Sequence, residues 1–393
     1  MSAEALTDRA MLSRLVAIDS TSRLGNEGVV DLIGAYLDVP RIRVRILPGS
    51  AEGDEGPARR NMIVTTGPAT EDGAGLTWSG HLDCVPALEP NWTGDPFVLA
   101  ERDGQLVGRG ACDMKGPLAV ALNAMRRAAA TDLKAPFTLV LTCDEELGSL
   151  GARHLVDHWP ADEPVPPTAV IVGEPTSLEA VRMHKGHLTM RLDVDGVPAH
   201  SGSPHLGRNA IEPAARAIVA LSALREDLAR ERVPASEHFE AVPFAALTVA
   251  RVRGGEALNV IPPSCSVEVG VRPLPGQPSE TLADRIERAA RGAVGEAPLE
   301  FTVLNDNPPM ETRDDAPVHR AVSSCIGQTD SRGVSFASDG GHLRRLGLEC
   351  VLFGPGSIEV AHRADEFIPI AELERYGPLL DQLVDRFCRR EEK

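Results

Sequence analysis

Clustered basic residues are missing from this sequence. Its 393 residues include 40 Lys and Arg against 57 Asp and Glu, which gives a formal net charge of −17 at pH 7. Because binding to a phosphate backbone needs clustered Lys and Arg, this balance argues against a nucleic-acid partner. The acidity itself indicates a well-solvated surface and says little about a substrate.

Long apolar runs are missing too. No stretch approaches the roughly 18 apolar residues of a membrane span, so no membrane partner is expected. Residues 1–10 carry Glu4 and Asp8 and lack the apolar core of a signal peptide. The seven cysteines are odd in number and scattered, and no CxxC pair occurs. Reduced thiols in a cytoplasmic protein fit this usage best.

What the sequence does contain is an alternation of short apolar runs with helical patterns, in a chain long enough for two domains. The strand candidates are 41–47, 61–66, 74–79, 136–142, 168–172 and 349–353. The helix candidates are 27–37, 116–130, 148–157, 315–326 and 371–388. This alternation predicts an α/β fold, a mixed sheet flanked by helices.

The middle of the chain has a different pattern. "HLTMRLDVDG" and "SVEVGVRP" alternate apolar and polar residues, as half-solvated antiparallel strands do. Helical patterns over 209–229 and 279–293 complete the order β-α-β-β-α-β, which predicts a ferredoxin-like α+β unit. We therefore place an inserted lid domain at 183–305. The catalytic domain then comprises 1–182 and 306–393.

Acids and histidines follow five strand-like segments at their carboxyl ends. These residues are His81, Asp83, Asp113, Asp144, Glu145, Glu146, Glu174 and His362. In open α/β sheets, that edge is where ligands bind. Any one of these residues taken alone would be interpreted as a polar group of a solvated loop. Their recurrence at five strand ends favours a common site.

Acids gathered in this way repel one another. Two like charges about 4 Å apart cost roughly 4 kcal/mol at an effective dielectric constant of ~20. Protonation of one acid or binding of divalent cations relieves the repulsion. Histidines and carboxylates without cysteine suit a pair of Zn²⁺, Co²⁺ or Mn²⁺ ions. The sequence therefore predicts a site for two divalent metal ions, with Zn²⁺ as the leading candidate.

A series of motifs resembles the co-catalytic zinc amidohydrolases and exopeptidases, which include acetylornithine deacetylase, succinyl-diaminopimelate desuccinylase, aminoacylase and glutamate carboxypeptidase. The resemblance begins at "LVAIDSTS" and continues through "SGHLDCVPALEPNWTGDPF", "GRGACDMKG" and "TCDEELGSLGAR". It then includes "GEPTSLEAVRMHKGH", "GVPAHSGSPHLGRNAI" and "FGPGSIEVAHRADEF". It covers nearly the whole chain and implies a zinc exopeptidase-like fold with a lid.

The resemblance also implies a role for each metal-type residue. His81 and Glu174 resemble the ligands of one zinc ion. Glu146 and His362 resemble the ligands of the other. Asp113 resembles the carboxylate that bridges the two ions.

The same resemblance implies the catalytic groups. Asp83 resembles the acid that orients the first zinc histidine, and Glu145 resembles the general base that takes a proton from the attacking water. Asp144 is interpreted as an acid that caps the loop. His200, in "AHSG", resembles an oxyanion donor that the partner subunit of a homodimer supplies through its lid domain.

Less specific motifs indicate the residues that would bind the substrate. Arg272 resembles the arginine that grips the α-carboxylate of the substrate, for which a guanidinium fork is well shaped. The alternative is a surface ion pair between Arg272 and Glu268. Asn259 and Gly356 are assigned polar contacts to the substrate.

The motifs are most similar to the acetylornithine deacetylase branch, with two departures. Residues 338–340 read Ser-Asp-Gly where that branch usually has Thr-Glu-Ala, and Ala364 replaces a usual proline. The first departure bears on recognition of the side-chain amine, whereas the second lies outside the metal ligands. The sequence thus predicts hydrolysis of a small N-acyl amino acid, with N-acetylornithine as the leading case. A desuccinylase or other N-acyl amino acid deacylase, a dipeptidase or carboxypeptidase, and a non-catalytic binding protein of the same fold remain as alternatives.

Overall fold

The computed structural model describes residues 5–50 and 56–389. Glu4, part of the N-terminal stretch considered above, lies outside these ranges. The chain divides into two compact units. The first comprises Met1–Arg182, Glu311–Arg332 and Ser338–Lys393, and the second comprises Met183–Met310 and Gly333–Ala337.

The strands are named in chain order. They are β1 (Ile42–Pro48), β2 (Arg60–Thr66), β3 (Leu76–His81), β4 (Ala100–Arg102), β5 (Gln105–Val107), β6 (Phe137–Thr142), β7 (Ala169–Val172), β8 (Val181–His184), β9 (His187–Asp195), β10 (Ala246–Gly254), β11 (Ser264–Arg272), β12 (Leu299–Asn307), β13 (Met310–Glu311), β14 (Arg332–Val334), β15 (Glu349–Leu352) and β16 (Phe367–Pro369). The chain passes between the two units within β8, β13 and β14, and again between Ala337 and Ser338.

The helices are named in the same way. They are α1 (Asp8–Val16), α2 (Glu27–Tyr36), α3 (Gly116–Ala129), α4 (Leu150–Asp157), α5 (Ile211–Arg230), α6 (Ser279–Val294), α7 (Pro317–Ile326), α8 (Gly340–Leu343) and α9 (Ile370–Val384). α5 buries a stripe that includes Ala214, Ala217 and Leu221, as an amphipathic helix does. In the described ranges, no helix combines the length and apolarity that crossing a membrane requires.

The first unit contains a mixed sheet in which strands follow the order β1-β2-β6-β3-β7-β15. β6, β3, β7 and β15 run parallel, whereas β1 and β2 are antiparallel to their neighbours. Every residue of β3 and β6 is buried, since a sheet covered by helices on both faces needs apolar residues on both. The predicted α/β fold with a mixed sheet is confirmed.

The core of the first unit lies on both sides of β3. Trp78 of β3 is fully buried, and its indole nitrogen donates to the hydroxyl of Tyr376 on α9 at 2.9 Å. That hydroxyl in turn donates to the carbonyl of Phe353, directly after β15, at 3.1 Å. The sheet and α9 are therefore joined by a polar contact inside an apolar core.

The parallel strands bring their carboxyl ends to one edge of the sheet. β3 ends at His81, and β6 ends two residues before Asp144. β7 ends two residues before Glu174. This edge is where a ligand site is expected in an open α/β sheet.

A small antiparallel sheet lies apart from the main one in the first unit, with the strand order β16-β5-β4. Phe367 of β16 pairs with Val107 of β5. This pairing ties the segment that follows His362 to the segment that precedes Asp113.

The second unit contains a four-stranded antiparallel sheet with the order β10-β11-β9-β12. With α5 and α6 it follows the chain order β-α-β-β-α-β, so the predicted ferredoxin-like unit is confirmed. One face of β9 is buried through Leu188, Met190, Leu192 and Val194. β12 continues to Asn307, beyond residue 305, and the predicted domain boundaries stay a prediction.

Candidate metal centre

One group of potential metal ligands lies at the carboxyl edge of the main sheet. His81 is the last residue of β3, Asp113 lies in an irregular turn over Ala111–Lys115, and Glu174 follows β7. One donor atom from each lies within 4.8 Å of the others. His81 Nε2 is 2.9 Å from Asp113 Oδ1. All three side chains are buried, so the group is a defined site rather than a solvated acidic patch.

A second group shares Asp113 with the first. Its other members are Glu146 and His362, and the donor atoms again lie within 4.8 Å of one another. His362 Nε2 is 3.3 Å from Asp113 Oδ2 and 3.0 Å from Glu146 Oε2. One oxygen of Asp113 thus faces His81 and the other faces His362. Asp113 is therefore shared between the two groups.

The proton affinities of these groups reflect the crowding of charge. Burial lowers the pKa of His81, but its hydrogen bonds to Asp113 and Asp83 outweigh burial and raise that pKa well above its ordinary value. Burial and the charge of Asp113 raise the pKa of Glu174 well above its usual range. Hydrogen bonds to Asp113 and Glu146 raise the pKa of His362 to about 10.

The chemistry of the donor atoms tests whether metal ions fit. Buried carboxylates face one another across both groups, and a cation placed among them would relieve their repulsion. The donor set consists of imidazole nitrogens and carboxylate oxygens, which suits Zn²⁺ and similar divalent ions. The residues present therefore fit divalent metal ions, and Asp113 belongs to both donor groups.

Asp83 holds the acidic loop as well as the first histidine. Its carboxylate accepts hydrogen bonds from the hydroxyl of Ser22 at 2.7 Å and from the amides of Glu145 and Glu146 at 3.1 and 3.3 Å. The Nδ1 atom of His81 lies 3.0 Å from the main-chain oxygen of Asp83 and 3.6 Å from its carboxylate. The nearer partner that orients the imidazole is therefore the carbonyl of Asp83.

Glu145 follows β6 in the loop that leads to α4. The hydroxyl of Ser149 donates to its Oε1 atom at 3.2 Å. Burial, followed by the negative charge of Glu174, raises the pKa of Glu145 well above its usual range. A buried carboxyl group beside potential metal ligands is a candidate proton acceptor.

Two further acids near this edge have structural partners. Asp144, interpreted as a loop-capping acid, lies 2.7 Å from Arg59 Nε through its Oδ2 atom. Asp339, at the start of α8, is buried and accepts a hydrogen bond from the hydroxyl of Thr142. Burial raises the pKa of Asp339 to about 6. No local feature of the sequence signals that Asp339 lies at the end of β6, because the contact joins residues 197 positions apart.

The remaining predicted site residues lie elsewhere. His200 is exposed in the second unit, where the amide of Gly202 donates to its Nδ1 atom at 3.1 Å. Asn259 is exposed and Arg272, the last residue of β11, is half-buried, also in the second unit. Gly356 is buried in the first unit, and its amide donates to Glu372 at 2.8 Å. The substrate and oxyanion roles of these four residues stay predictions.

Comparison with known proteins gives a consistent result. Residues 77–386 match the sequence profile of peptidase family M20/M25/M40. A protein described as acetylornithine deacetylase from Myxococcus xanthus is 37% identical over 391 residues, which cover 97% of this chain and 97% of that protein.

Solved structures agree in fold. A metallo-carboxypeptidase of the M20 family from Sulfolobus solfataricus superposes with a TM-score of 0.77 at 16% identity, covering 97% of this chain and 99% of the other. A dinuclear metal-binding peptidase of the M20 family from Bacillus subtilis superposes with a TM-score of 0.64 at 16% identity, covering 96% and 98%. From its sequence match and from the relative at 37% identity, this chain belongs to peptidase family M20/M25/M40.

Proposed function

We propose that this chain is a metal-dependent hydrolase that cleaves the amide bond of N-acyl amino acids, with N-acetylornithine as its substrate. The observation that carries the proposal is the pair of three-donor groups joined through Asp113, with Glu145 beside them. The relative described as acetylornithine deacetylase, which matches over nearly the full length, supports the choice of substrate.

Two divalent ions, Zn²⁺ before Co²⁺ or Mn²⁺, would be held by this donor set. His81 and Glu174 are assigned to one ion and Glu146 and His362 to the other, with Asp113 between them. When bound, such ions act as Lewis acids that polarise a carbonyl oxygen and lower the pKa of water toward ~7. The description of the Bacillus subtilis peptidase as dinuclear supports two ions rather than one.

Glu145 is the group to which we assign the proton transfers. Its carboxylate takes a proton from the water that attacks the amide carbon and returns that proton to the departing amine nitrogen. The hydrogen bond from Ser149 holds the carboxylate in place. Burial, followed by the charge of Glu174, raises its pKa.

The remaining roles in this proposal are assigned from the resemblance of single residues. We assign to His200, donated by the partner subunit of a homodimer, the hydrogen bond to the developing oxyanion. We assign to Arg272 the α-carboxylate of the substrate, because its fork of donors matches two carboxylate oxygens. Asn259 and Gly356 are assigned secondary polar contacts.

All seven cysteines are free thiols, which supports the predicted cytoplasmic location.

A substrate panel on the zinc-reconstituted protein tests the proposal. N-acetylornithine, N-succinyl-diaminopimelate and a dipeptide are compared by kcat/KM. We expect N-acetylornithine to be the best substrate. Preference for the succinyl compound would identify a desuccinylase, and preference for the dipeptide would identify a peptidase; either result would overturn the proposed substrate while keeping the reaction class.

The Glu145→Gln variant tests the assigned base. General acid–base catalysis contributes about 10²- to 10⁴-fold, so kcat should fall by that factor while the protein still binds two metal equivalents. Asp144→Asn is the matched control, because it neutralises the adjacent acid, whose partner is Arg59. Its kcat should stay within a few-fold of the wild-type value. Wild-type turnover in Glu145→Gln would refute the assignment.

A further inference from the structure

The carboxylate of Glu366 lies outside both donor groups, yet it binds the turn that carries Asp113. The side chain is buried, with an exposed fraction of 1%. Its Oε1 atom accepts hydrogen bonds from the amides of Cys112 and Asp113, each at 3.0 Å. Its Oε2 atom accepts from the amide of Gly110 at 3.1 Å and from Arg109 Nη1 at 2.8 Å. One carboxylate therefore satisfies three main-chain donors of a single turn.

The charge of Glu366 is balanced by a fixed partner. Arg109 is fully buried, and its Nη2 atom lies 2.7 Å from each carboxylate oxygen of Glu89. The guanidinium group is also 5.1 Å from the ring centroid of Trp92. The contacts with Glu89 and Trp92 fix the position of the Arg109 guanidinium group. Its hydrogen bond then fixes the carboxylate of Glu366.

The main chain at Glu366 and Phe367 also pairs with the segment directly before this turn. The amide of Gly108 donates to the carbonyl of Glu366 at 2.9 Å, and Phe367 pairs with Val107 between β16 and β5. Glu366 is also four residues after His362 in the sequence. The segment that supplies His362 is thus joined to the segment that supplies Asp113 by both side-chain and main-chain contacts.

We propose that Glu366 is a positioning residue that holds the turn of Asp113, and with it the bridging carboxylate, in the metal-binding arrangement before any ion enters. The inference rests on the proposed metal centre. The amides of Gly110, Cys112 and Asp113 have no ladder of a regular strand or helix to satisfy them, and buried donors of this kind need an acceptor. The segment before this turn is hydrogen-bonded to the segment that follows His362. We therefore expect the geometry of the donor group formed by Asp113, Glu146 and His362 to depend most on Glu366.

Metal titration of the Glu366→Gln variant tests this. The amide group of glutamine would present a donor to Arg109 or Gly110, so the turn loses part of its support. We expect at least one of the two zinc-binding steps, measured by calorimetry on the metal-stripped protein, to weaken about 10- to 100-fold, as loss of groups that orient ligands does. The visible spectrum of the cobalt-loaded variant should differ from that of the cobalt-loaded wild type.

Glu163→Gln is the matched control. Glu163 is a buried carboxylate of the same unit, and it is bound by Arg43 at 2.5 Å and by Arg45 at 3.0 Å. Both variants should lower the thermal midpoint, but only Glu366→Gln should lower metal affinity and alter the cobalt spectrum. If Glu366→Gln binds both ions as tightly as the wild type and differs only in thermal midpoint, Glu366 is merely structural and the proposal fails.

Hydrogen exchange of the wild-type protein gives a second test that needs no variant and no substrate. The amides of Gly110, Cys112 and Asp113 should exchange slowly in the metal-stripped protein and change little when zinc is added. Fast exchange that slows only with zinc would mean that the metal orders the turn, and would overturn the proposal. Because turnover is not measured, failure of the proposed substrate would leave this result unaffected.

Discussion

At the scale of single residues, the run Asp144, Glu145 and Glu146 shows how adjacent acids take different surroundings. Asp144 has a φ of 52°, a left-handed conformation that Asp tolerates better than most residues. Its carboxylate lies 2.7 Å from Arg59 Nε, whereas the carboxylate of Glu146 lies 3.0 Å from His362 Nε2. Glu145 retains a raised pKa. The three adjacent acids therefore differ in their electrostatic surroundings, and two of them have a basic partner.

Replacement of Asp83 by Asn tests how the acidic loop is held. The variant keeps one acceptor oxygen but loses the charge that three donors, from Ser22, Glu145 and Glu146, now share. We expect metal affinity, measured by titration of the metal-stripped protein, to fall about 10- to 100-fold. Ser22→Ala is the control, because it removes one of the three donors and leaves both amide contacts. Equal metal affinity in Asp83→Asn and the wild type would contradict this account of the loop.

A second residue-scale prediction concerns pH and lies in the second unit. Burial, followed by the charge of Arg272, lowers the pKa of His187 to about 4. A histidine whose folded-state pKa lies below its ordinary value of 6.5 favours the folded state fully above pH 6.5. That contribution is lost as the pH falls from 6.5 toward 4.

Arg272→Gln should therefore raise the pKa of His187 part of the way toward 6.5, since burial remains. The imidazole signals of His187 in an NMR titration measure this directly, and the loss of stability between pH 6.5 and 4 should become smaller. Arg251→Gln is the control, because Arg251 is paired with Glu268 on the exposed side of β10 and β11. An unchanged pKa in Arg272→Gln would show that Arg272 does not act on His187.

At the scale of elements, the long periodic segments are the predictable ones. The helical patterns over 209–229 and 279–293 correspond to α5 at Ile211–Arg230 and α6 at Ser279–Val294. Burial of one face or of both faces imposes these patterns over many residues. A sequence pattern therefore locates them within one or two residues.

Short elements could not be predicted from such patterns. β4, β5 and β16 have three residues each, too few for a period to show, and the turn over Ala111–Lys115 follows no regular pattern. Glu366 lies directly before β16 and binds that turn. Its role could not be predicted because it depends on pairing between segments more than 250 residues apart.

Removal of the Tyr376 hydroxyl tests the contact between α9 and the main sheet. Tyr376→Phe removes the acceptor of the Trp78 indole and the donor to Phe353, both inside the core. Leaving a buried donor unpaired costs about 1–3 kcal/mol, so the free energy of unfolding should fall by that amount. Denaturant unfolding followed by tryptophan fluorescence measures the change. An unchanged midpoint would mean that these hydrogen bonds add nothing to stability.

At the scale of the whole molecule, the metal centre gathers residues from distant parts of the chain. His81, Asp113, Glu146, Glu174 and His362 all belong to the first unit. For His81, Glu146 and Glu174 this convergence could be predicted, because the parallel strands β3, β6 and β7 bring their carboxyl ends to one edge. Asp113 follows β5 of the small sheet, and His362 lies in the loop after β15. The roles of His200 and Arg272 rest on resemblance alone, since no local pattern determines which residue of a second unit reaches a substrate.

The most direct test of the central claim is anomalous diffraction from crystals of the zinc-loaded protein. The account predicts two zinc peaks about 3.5–4 Å apart on either side of Asp113. One peak should contact His81 and Glu174, and the other should contact Glu146 and His362. A single peak, or peaks that these five side chains do not ligate, would contradict it.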